Sequence, residues 1–428
     1  MTRSPLRPSD PRLDLEEARA LDARNPLAGF REAFVVADPD EIYLDGNSLG
    51  RLPVRAREVV RAAVDEAWGE RLIRSWGEGW WGAASRIGGR LAPLVGAGED
   101  EVVVADQTSV NLYKLATAAL EDRAPRTRIV SDALNFPSDL YVLEGVARRF
   151  GGRLEIVPAA ADGVHADEAA IRAALDDDVA LLSLSEVAFA SGYRYDAARL
   201  TEAAHAAGAL VLWDLSHAVG ATPVDLAGWG ADLAVGCTYK YVNGGPGAPA
   251  FAYVRRDLQD RLTQPIHGWF GQADPFDFGL AYAPAPGMAR FTVGTPPVLS
   301  LLAMEPGVEL LRDAGIGTVR DVSVALTEYL IALVDARLAP HGVDVVSPRD
   351  PERRGSHVTI AHPDAYRLTK AMIDAGVIPD YREGSGIRLG VAPLYVGFED
   401  LWRAVERTEA LLARGDHLAY DDARATVT

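Results

Sequence analysis

A carboxylate and an amine stand at the ends of two apolar runs in the middle of the sequence. The run at 209–213 (ALVLW) ends in Asp214, and the run at 232–237 (DLAVGC) leads to Lys240. Such runs predict buried strands, and ligands of open α/β sheets bind at the carboxyl ends of the strands. A lysine there can form a Schiff base with pyridoxal phosphate (PLP), whose ring nitrogen pairs with a carboxylate. The pair therefore indicates PLP chemistry.

Hydroxyl side chains could form a phosphate-binding site. Thr108 and Ser109 follow a predicted strand at 101–105 and begin a predicted helix. The N–H groups and the dipole of a helix N-terminus attract an anion, although either hydroxyl could equally cap the helix. Phe136, just before another predicted helix, could stack on an aromatic ring or pack in the core. The local pattern leaves both choices open.

The elements that would position these groups alternate between strand and helix from residue 101 to residue 254. This alternation predicts an α/β fold with a mostly parallel sheet that helices cover on both faces. Residues 264–297 are predicted to form a loop and residues 300–339 to be helical. Residues 340–414, with a turn through Pro379-Asp380, predict a small α+β domain.

Three parts of the chain follow from this pattern. Residues 1–45 are expected to form an N-terminal arm, flexible over residues 1–12, and a helix that packs with the small domain. Residues 46–300 are expected to form the large cofactor-binding domain, and residues 301–428 the small C-terminal domain.

Composition narrows the classes of function. The net charge is −18 and the pI is about 4.9, which argues against nucleic acid or an anionic membrane as a partner, since both need basic patches. No apolar run reaches the roughly 18 residues of a membrane span, and no secretory signal is recognised. The single cysteine, Cys237, excludes an internal disulfide and a cysteine-based metal cluster, no metal site is expected, and a reducing cytoplasm is the expected location.

Ordered motifs along residues 40–412 resemble the kynureninase family, PLP enzymes with the aspartate aminotransferase-like fold (fold type I). The most specific are Phe-Pro-Ser-Asp at 136–139 and Gly-Trp-Phe-Gly at 268–271, since related PLP families share only the Asp…Lys pair. The other matching segments are 43–50, 73–76, 108–112, 214–220, 238–241, 243–247, 294–297, 355–358, 392–395 and Arg388. The resemblance implies a large domain with a mostly parallel seven-stranded sheet and a small C-terminal α+β domain.

The resemblance also implies a role for each site residue. Lys240 would bind PLP covalently, Asp214 would pair with the ring nitrogen, and Phe136 would stack on the ring. Asp139, Ser185 and His217 would surround the ring, while Thr108, Ser109 and Tyr239 would bind the phosphate. Trp269 and Thr295 would reach the phosphate of the neighbouring subunit, which implies a homodimer with shared active sites. Substrate would meet Arg388, which holds its α-carboxylate, together with Asn47, Ser48 and Trp76.

The family reaction is the hydrolysis of L-kynurenine to anthranilate and L-alanine in tryptophan catabolism and NAD biosynthesis. In it, Lys240 would remove the α-proton and Tyr239 would donate a proton to the β-carbon. Animal members carry asparagine where this chain has Thr295, so L-kynurenine is expected to be preferred to 3-hydroxykynurenine. Glu186 and Ala190 depart from the family pattern beside Ser185.

Other interpretations stay open at this stage. An aminotransferase or another PLP enzyme of the same fold would share the Asp214 and Lys240 pair, and a homologue without catalysis is a further alternative. Arg388, inside an apolar run, could pair with a structural acid instead of substrate. The tryptophans around Trp76 could pack in the core or at an interface instead of lining a substrate pocket.

Overall fold

A seven-stranded sheet with one antiparallel strand lies at the centre of the larger part of the molecule. The computed structural model describes residues 13–384 and 386–423, so the predicted arm at 1–12 lies outside the described residues. The strands of this sheet are β2 (Val102–Val104), β3 (Arg128–Asp132), β4 (Leu154–Val157), β5 (Val179–Ser185), β6 (Leu210–Asp214), β7 (Leu233–Gly236) and β8 (Phe251–Val254), after a short β1 (Ile42–Tyr43). Their order is β2-β8-β7-β6-β5-β3-β4, which confirms the predicted fold class.

Helices flank this sheet, and its central strands are mostly apolar and buried along their whole length. Every residue of β5, β6 and β7 is buried, as expected for strands covered on both faces. The helices are α1 (Leu15–Ala23), α2 (Val54–Ala62), α3 (Ala83–Leu91), α4 (Thr108–Asp122), α5 (Pro137–Arg149), α6 (Glu168–Ala173), α7 (Ala197–Ala206), α8 (Leu226–Trp229) and α9 (Arg256–Gln259). Helix α4 packs against β5, β6 and β7, and α7 packs against β6.

A smaller antiparallel sheet lies in the C-terminal part, in the order β12-β13-β10-β9. Its strands are β9 (Asp344–Val345), β10 (His357–Ala361), β12 (Asp380–Arg382) and β13 (Gly386–Gly390). A further strand, β11 (Val377–Ile378), pairs with β1 outside this sheet. The prediction of a turn through Pro379-Asp380 was wrong, because β11 and β12 occupy this stretch. Strands of two or three residues are too short to show an alternating pattern.

The predicted helix over 300–339 is two helices, α10 (Val298–Ala314) and α11 (Ile316–Leu333), followed by short π and 3₁₀ turns. They separate at Gly315, whose φ of +74° is the left-handed conformation that favours glycine. Helix α10 packs on α2 and α3, whereas α11 packs on α13 (Phe398–Arg414), which follows α12 (Ala365–Asp374). The division of the chain at residue 300 stays a prediction.

The N-terminal helix is tied to the C-terminal one by a shared cap. Both carboxylate oxygens of Asp22 accept hydrogen bonds from the first turn of α13, from Phe398 N at 2.7 Å and Glu399 N at 2.9 Å. These bonds satisfy N–H groups that have no partner inside the helix. Among residues 13–384 and 386–423, no helix is long and apolar enough to cross a membrane.

Candidate active site

A cavity of about 400 Å³ opens at the carboxyl ends of β5, β6 and β7 and reaches the smaller sheet. It brings together most of the residues that the sequence singled out. The predicted site residues that line it are Asn47, Ser48, Thr108, Ser109, Phe136, Asp139, Ser185, Asp214, His217, Tyr239, Lys240 and Arg388. Trp76, Trp269 and Thr295 are not among its lining residues.

Lys240 lies on the turn after β7, and its Nζ is 2.8 Å from Nε2 of His217. Desolvation lowers the pKa of the Lys240 amine. It also lowers the pKa of His217, and the positive charge of Lys240 adds to that effect. Because both groups therefore favour their neutral forms, Lys240 is suited to act as a nucleophile and a base.

The turn that carries Lys240 is held by close backbone contacts. Gly50 N donates to Tyr239 O at 2.7 Å. A Cβ at Gly50 would lie 2.3 Å from Lys240 O, so no larger side chain fits there. The residues Gly46, Asn47 and Ser48 before Gly50 are types that favour a turn with close backbone approach. The partner of that approach is the lysine-bearing turn itself.

Two carboxylates share the floor of the cavity. Asp214 ends β6 and accepts a hydrogen bond from Ser216 N at 2.5 Å. Asp139 lies in the first turn of α5 and is 3 % exposed. Burial, with the neighbouring Asp214 charge, raises the pKa of Asp139 well above its usual range, which favours its protonated form. Its buried Oδ2 has no hydrogen-bond partner among the described residues and remains available to a ligand.

A neutral anion seat lies at the other side of these acids, where the N-termini of α4 and α5 meet. The Oγ atoms of Ser109 and Ser138 are 3.0 Å apart. Gln107 is the N-cap of α4 and makes no capping bond through its side chain, so the first N–H groups of the helix can bind an anion. Thr108 and Ser109 are helical residues beside the cavity and not the cap itself. Ser138, within the Phe-Pro-Ser-Asp motif, was not predicted as a site residue.

Phe136 and Ser185 also line the cavity. Phe136 is 42 % exposed and meets Phe189 edge-to-face at 5.1 Å between centroids, so it is not a core residue. Ser185 Oγ donates to Asn135 Oδ1 at 2.8 Å, and Asn135 in turn donates to Ser131 Oγ at 3.0 Å. Asn135 was missed, although its position directly before Phe136 could have drawn attention to it.

Arg388, on β13, forms the opposite end of the cavity. Its Nε donates to Asp380 Oδ2 at 2.6 Å, and its Nη2 also bonds that carboxylate. Nη1 donates to Phe189 O at 2.8 Å and Nη2 to Ser48 Oγ at 3.1 Å. Both interpretations of Arg388 are thus compatible with the structure: it is paired with an acid and it lines the cavity.

Asp380 and Arg382 were not predicted as site residues. Asp380 is the cross-strand neighbour of Arg388 in the β12–β13 ladder. Arg382, two residues later, also lines the cavity, and its Nε is 3.1 Å from Asp380 Oδ2. Two guanidinium groups therefore flank one carboxylate at this end of the cavity. The Asp-x-Arg alternation was the available signal, hidden by the predicted turn.

Cys237 and Tyr239 lie shortly before Lys240 in the sequence. Burial raises the pKa of the Tyr239 phenol, which therefore keeps its proton at neutral pH. Burial also raises the pKa of the Cys237 thiol, as expected for an inert buried cysteine.

The remaining predicted residues lie in or near a surface cluster of aromatic rings. Trp76 and Trp80 meet edge-to-face at 5.6 Å, and Trp81 stacks on Phe270 at 4.6 Å. Trp269 meets Trp81 at 5.7 Å and stays 43 % exposed. Thr295 is exposed. Within one chain the tryptophans pack on one another and on Phe270 instead of lining the cavity.

Comparison with solved structures identifies the same fold in PLP-dependent enzymes. The chain superimposes on an apo cysteine desulfurase from Thermococcus onnurineus NA1 with a TM-score of 0.76 at 18 % identity, covering 97 % of this chain and 100 % of that one. It also matches the cystine C-S lyase C-DES with a TM-score of 0.77 at 17 % identity, covering 87 % and 98 % of the two chains. At this identity the likeness concerns the fold alone.

Sequence comparison is more specific. The kynureninase C-terminal domain family matches residues 319–408. A kynureninase from Pseudomonas fluorescens is 44 % identical over 402 residues, which cover 92 % of this chain and 94 % of that protein. One from Burkholderia pseudomallei (strain K96243) is also 44 % identical, over 93 % and 95 % of the two chains. With identity of this level over nearly its whole length, the chain belongs to the kynureninase family.

Proposed function

We propose that this chain cleaves L-kynurenine hydrolytically between Cβ and Cγ, giving anthranilate and L-alanine, with PLP bound at Lys240. The relatives at 44 % identity are named kynureninase. The observation that carries the proposal is the cavity, in which Lys240, the Asp214–Asp139 pair and the helix N-termini face Arg388. An aminotransferase is not favoured, because the relatives matched over nearly the whole chain are hydrolases by name.

The residues of the cavity fit PLP. Lys240 would offer its amine to the aldehyde, the N-terminus of α4 would bind the phosphate, and Asp214 would pair with the ring nitrogen. Asp139 Oδ2 and His217 Nδ1 are buried without partners among the described residues, so both are available to a ligand. When bound, PLP supplies a ring that accepts the electron pair released at the substrate α-carbon.

Lys240 is the group that moves the α-proton. Burial lowers its pKa, which favours the neutral amine that can accept this proton. His217 Nε2, 2.8 Å from the amine, positions Lys240 through a hydrogen bond. Tyr239 is the proton donor to the β-carbon, since its phenol stays protonated and lines the same cavity. The net reaction consumes one water, whose oxygen enters the carboxyl group of anthranilate.

Arg388 holds the substrate α-carboxylate. Asp380, Phe189 O and Ser48 use four of its five N–H groups, so one N–H of Nη1 is left for the substrate carboxylate and a second becomes available if Ser48 is displaced from Nη2. Asp380 and Phe189 O fix the plane of this guanidinium before substrate arrives. Such orientation lowers the entropic cost of binding.

The chain acts as a homodimer in this proposal. Trp269 and Thr295 do not line the cavity of their own chain, so they are available to a neighbouring one. The surface around them is apolar: Phe276 is 61 % and Phe278 74 % exposed. Exposed apolar patches of this kind mark interaction surfaces. We further place the enzyme in the cytoplasm and in tryptophan catabolism, with 3-hydroxykynurenine as a weaker substrate, and none of the chemistry requires a metal.

Product analysis tests the proposal. PLP-loaded protein is incubated with L-kynurenine, and anthranilate, alanine and keto acids are quantified. Anthranilate and alanine are expected in equal amounts, and Lys240→Ala is expected to form neither. Formation of a keto acid without anthranilate would instead identify an aminotransferase.

A further inference from the structure

Lys114 is a fully buried lysine that the proposed reaction does not use. It lies in the second turn of α4, and its side chain is 0 % exposed. Taking an ammonium group out of water is costly unless it is paired and hydrogen-bonded. Lys114 therefore needs a structural or functional reason for its place.

The Lys114 amine joins two segments that are far apart in sequence. Nζ donates to Asp106 Oδ2 at 2.6 Å and to Phe291 O at 2.6 Å. The carboxylate balances the charge of the amine, although burial still lowers the pKa of Lys114. Both bonds are short, and an ammonium donor makes both of them charge-assisted, the stronger kind of hydrogen bond in proteins.

The first of these segments is the turn that leads into the anion seat. Asp106 adopts a φ of +51°, a left-handed conformation that is uncommon for residues other than glycine. It stands two residues before Thr108 and three before Ser109. The bond to Lys114 is placed to hold this turn, and with it the start of α4.

The second segment leads to the residues proposed to serve the neighbouring subunit. Phe291 lies four residues before Thr295. Phe270 N donates to Val293 O at 3.0 Å, and a Cβ at Gly268 would lie 2.1 Å from Val293 O. The residues that follow Phe291 therefore pack closely on the segment that carries Trp269.

We propose that Lys114 is a positioning residue for the cofactor phosphate at both active sites of the dimer. Through Asp106 it positions the phosphate seat of its own subunit. Through Phe291 it positions the segment that brings Thr295 and Trp269 to the phosphate of the partner. The inference rests on the proposed PLP site of Lys240, Thr108 and Ser109, and its second half rests on the proposed homodimer as well.

A purely structural role would predict something different. Lys114 could simply stabilise the packing of α4, in which case its loss would weaken every ligand of the cavity alike. The phosphate distinguishes the two roles, because pyridoxal can bind Lys240 without occupying the seat at Thr108 and Ser109. The ratio of PLP affinity to pyridoxal affinity is therefore the informative quantity.

The first experiment compares the natural chain with Lys114→Met, which keeps the length of the side chain and removes its charge. After removal of cofactor, PLP and pyridoxal are titrated separately by the near-visible absorbance of the lysine-bound form. The PLP dissociation constant is expected to rise at least about tenfold, as for loss of an outer partner of a ligand-binding group, with that of pyridoxal within about twofold. Equal losses for both ligands, or no loss for either, would overturn the proposal.

Two further variants serve as control and safeguard. Lys370→Met removes an exposed lysine that pairs with Asp421 on the surface, and neither dissociation constant is expected to change. Asp106→Asn keeps an acceptor oxygen and tolerates the left-handed conformation. It is expected to weaken PLP selectively but less than Lys114→Met, so the test survives if Lys114→Met fails to fold.

Mixed dimers test the second half of the proposal. One subunit carries Lys240→Ala with Lys114→Met, and the other carries neither change, so covalent cofactor forms only in the unaltered subunit. Its PLP dissociation constant is expected to rise relative to a dimer whose altered subunit carries Lys240→Ala alone. An unchanged constant would refute the action across the interface. A monomer in sedimentation would refute that action together with the proposed dimer, while the single-variant comparison would still decide the first half.

Discussion

The two ends of the cavity bind anions by different physical means. At one end, Thr108 and Ser109 offer hydroxyls and a helix N-terminus, without a charged side chain among the groups that line it there. At the other end, Arg388 is a buried cation that Asp380 already neutralises in part. The first arrangement suits a cofactor that stays bound. The second suits a substrate that exchanges, since the acid keeps the guanidinium charged and oriented between turnovers.

The two ends also come from different parts of the fold. The phosphate end is built on α4 and α5, which pack beside the rigid parallel sheet. The carboxylate end is built on β12 and β13 of the smaller sheet, with Ser48 and Phe189 O reaching it from other segments. Lys240 lies between the two ends, so its substitution is expected to have the largest effect on both cofactor binding and catalysis.

Lys240→Ala is expected to abolish the near-visible absorbance of bound cofactor and to lower kcat by at least about 10³-fold, the range for loss of a proton-transferring group. The physical reason is that one amine serves both as cofactor anchor and as base. Absorbance spectra and initial rates measure the two effects. A variant that keeps the band would remove Lys240 from the account, and Arg349→Met, a surface change, is the control.

Arg388→Met is expected to weaken the use of substrate and to leave cofactor binding unchanged. Truncation of a buried, hydrogen-bonded charge partner costs about 2–5 kcal/mol, so kcat/KM should fall by roughly 30-fold or more. The PLP dissociation constant should stay unchanged, because Thr108 and Ser109 are untouched. Steady-state kinetics and cofactor titration of the same preparation measure both, and a loss of PLP affinity would argue that the ends are not independent.

Asp45, near Arg388, makes the free energy of unfolding depend on pH. Burial and the charge of Asp380 raise the pKa of Asp45 to about 6, against a hydrogen bond from Ser48 that lowers it. Because the folded chain binds this proton more tightly than the unfolded chain, the contribution to stability is full below about pH 4 and is lost as pH rises through 6.

Relative to Asp45→Asn, the free energy of unfolding of the natural chain should therefore fall by about 2–3 kcal/mol between pH 4 and pH 6. Denaturant unfolding of both proteins across this range measures the difference. Asp40→Asn, at an exposed acid on the same segment, serves as control. A difference that stays constant with pH would show that Asp45 titrates normally.

Asp380→Asn sharpens the role of the acid beside Arg388. If Asp380 orients the guanidinium, KM should rise by about tenfold, which corresponds to one hydrogen bond with a charged group. A fall in KM would show instead that Asp380 competes with the substrate carboxylate. The PLP dissociation constant measured alongside should not move.

The sequence predicted the phosphate end and the centre of the cavity better than the carboxylate end. Asp214 and Lys240 could be found because each follows a continuous apolar strand, and Thr108 because it begins a helix after one. Asp380 was missed, since β12 has only three residues and the predicted turn hid its Asp-x-Arg alternation. Arg388 was found only through the family resemblance, and its partner became visible once β12 and β13 were paired.

Other features depend on contacts between distant segments. The burial of Lys114 cannot be inferred from α4 alone, because its partner Phe291 O is a backbone atom 177 residues away. The hydrogen bond of Asn135 to Ser185 likewise spans 50 residues. Trp269 and Thr295 were assigned to a neighbouring subunit by resemblance, and their contribution there stays a prediction.

A crossed measurement on two variants tests most directly whether the cavity has one end for the cofactor and one for the substrate. For Arg388→Met and Ser109→Ala, the PLP dissociation constant and the KM for L-kynurenine at saturating PLP are measured on the same preparations. Arg388→Met is expected to raise KM alone. Ser109→Ala is expected to raise the PLP dissociation constant alone, by about five- to tenfold for one lost hydrogen bond. Variants that each raise both constants by similar factors would contradict the account.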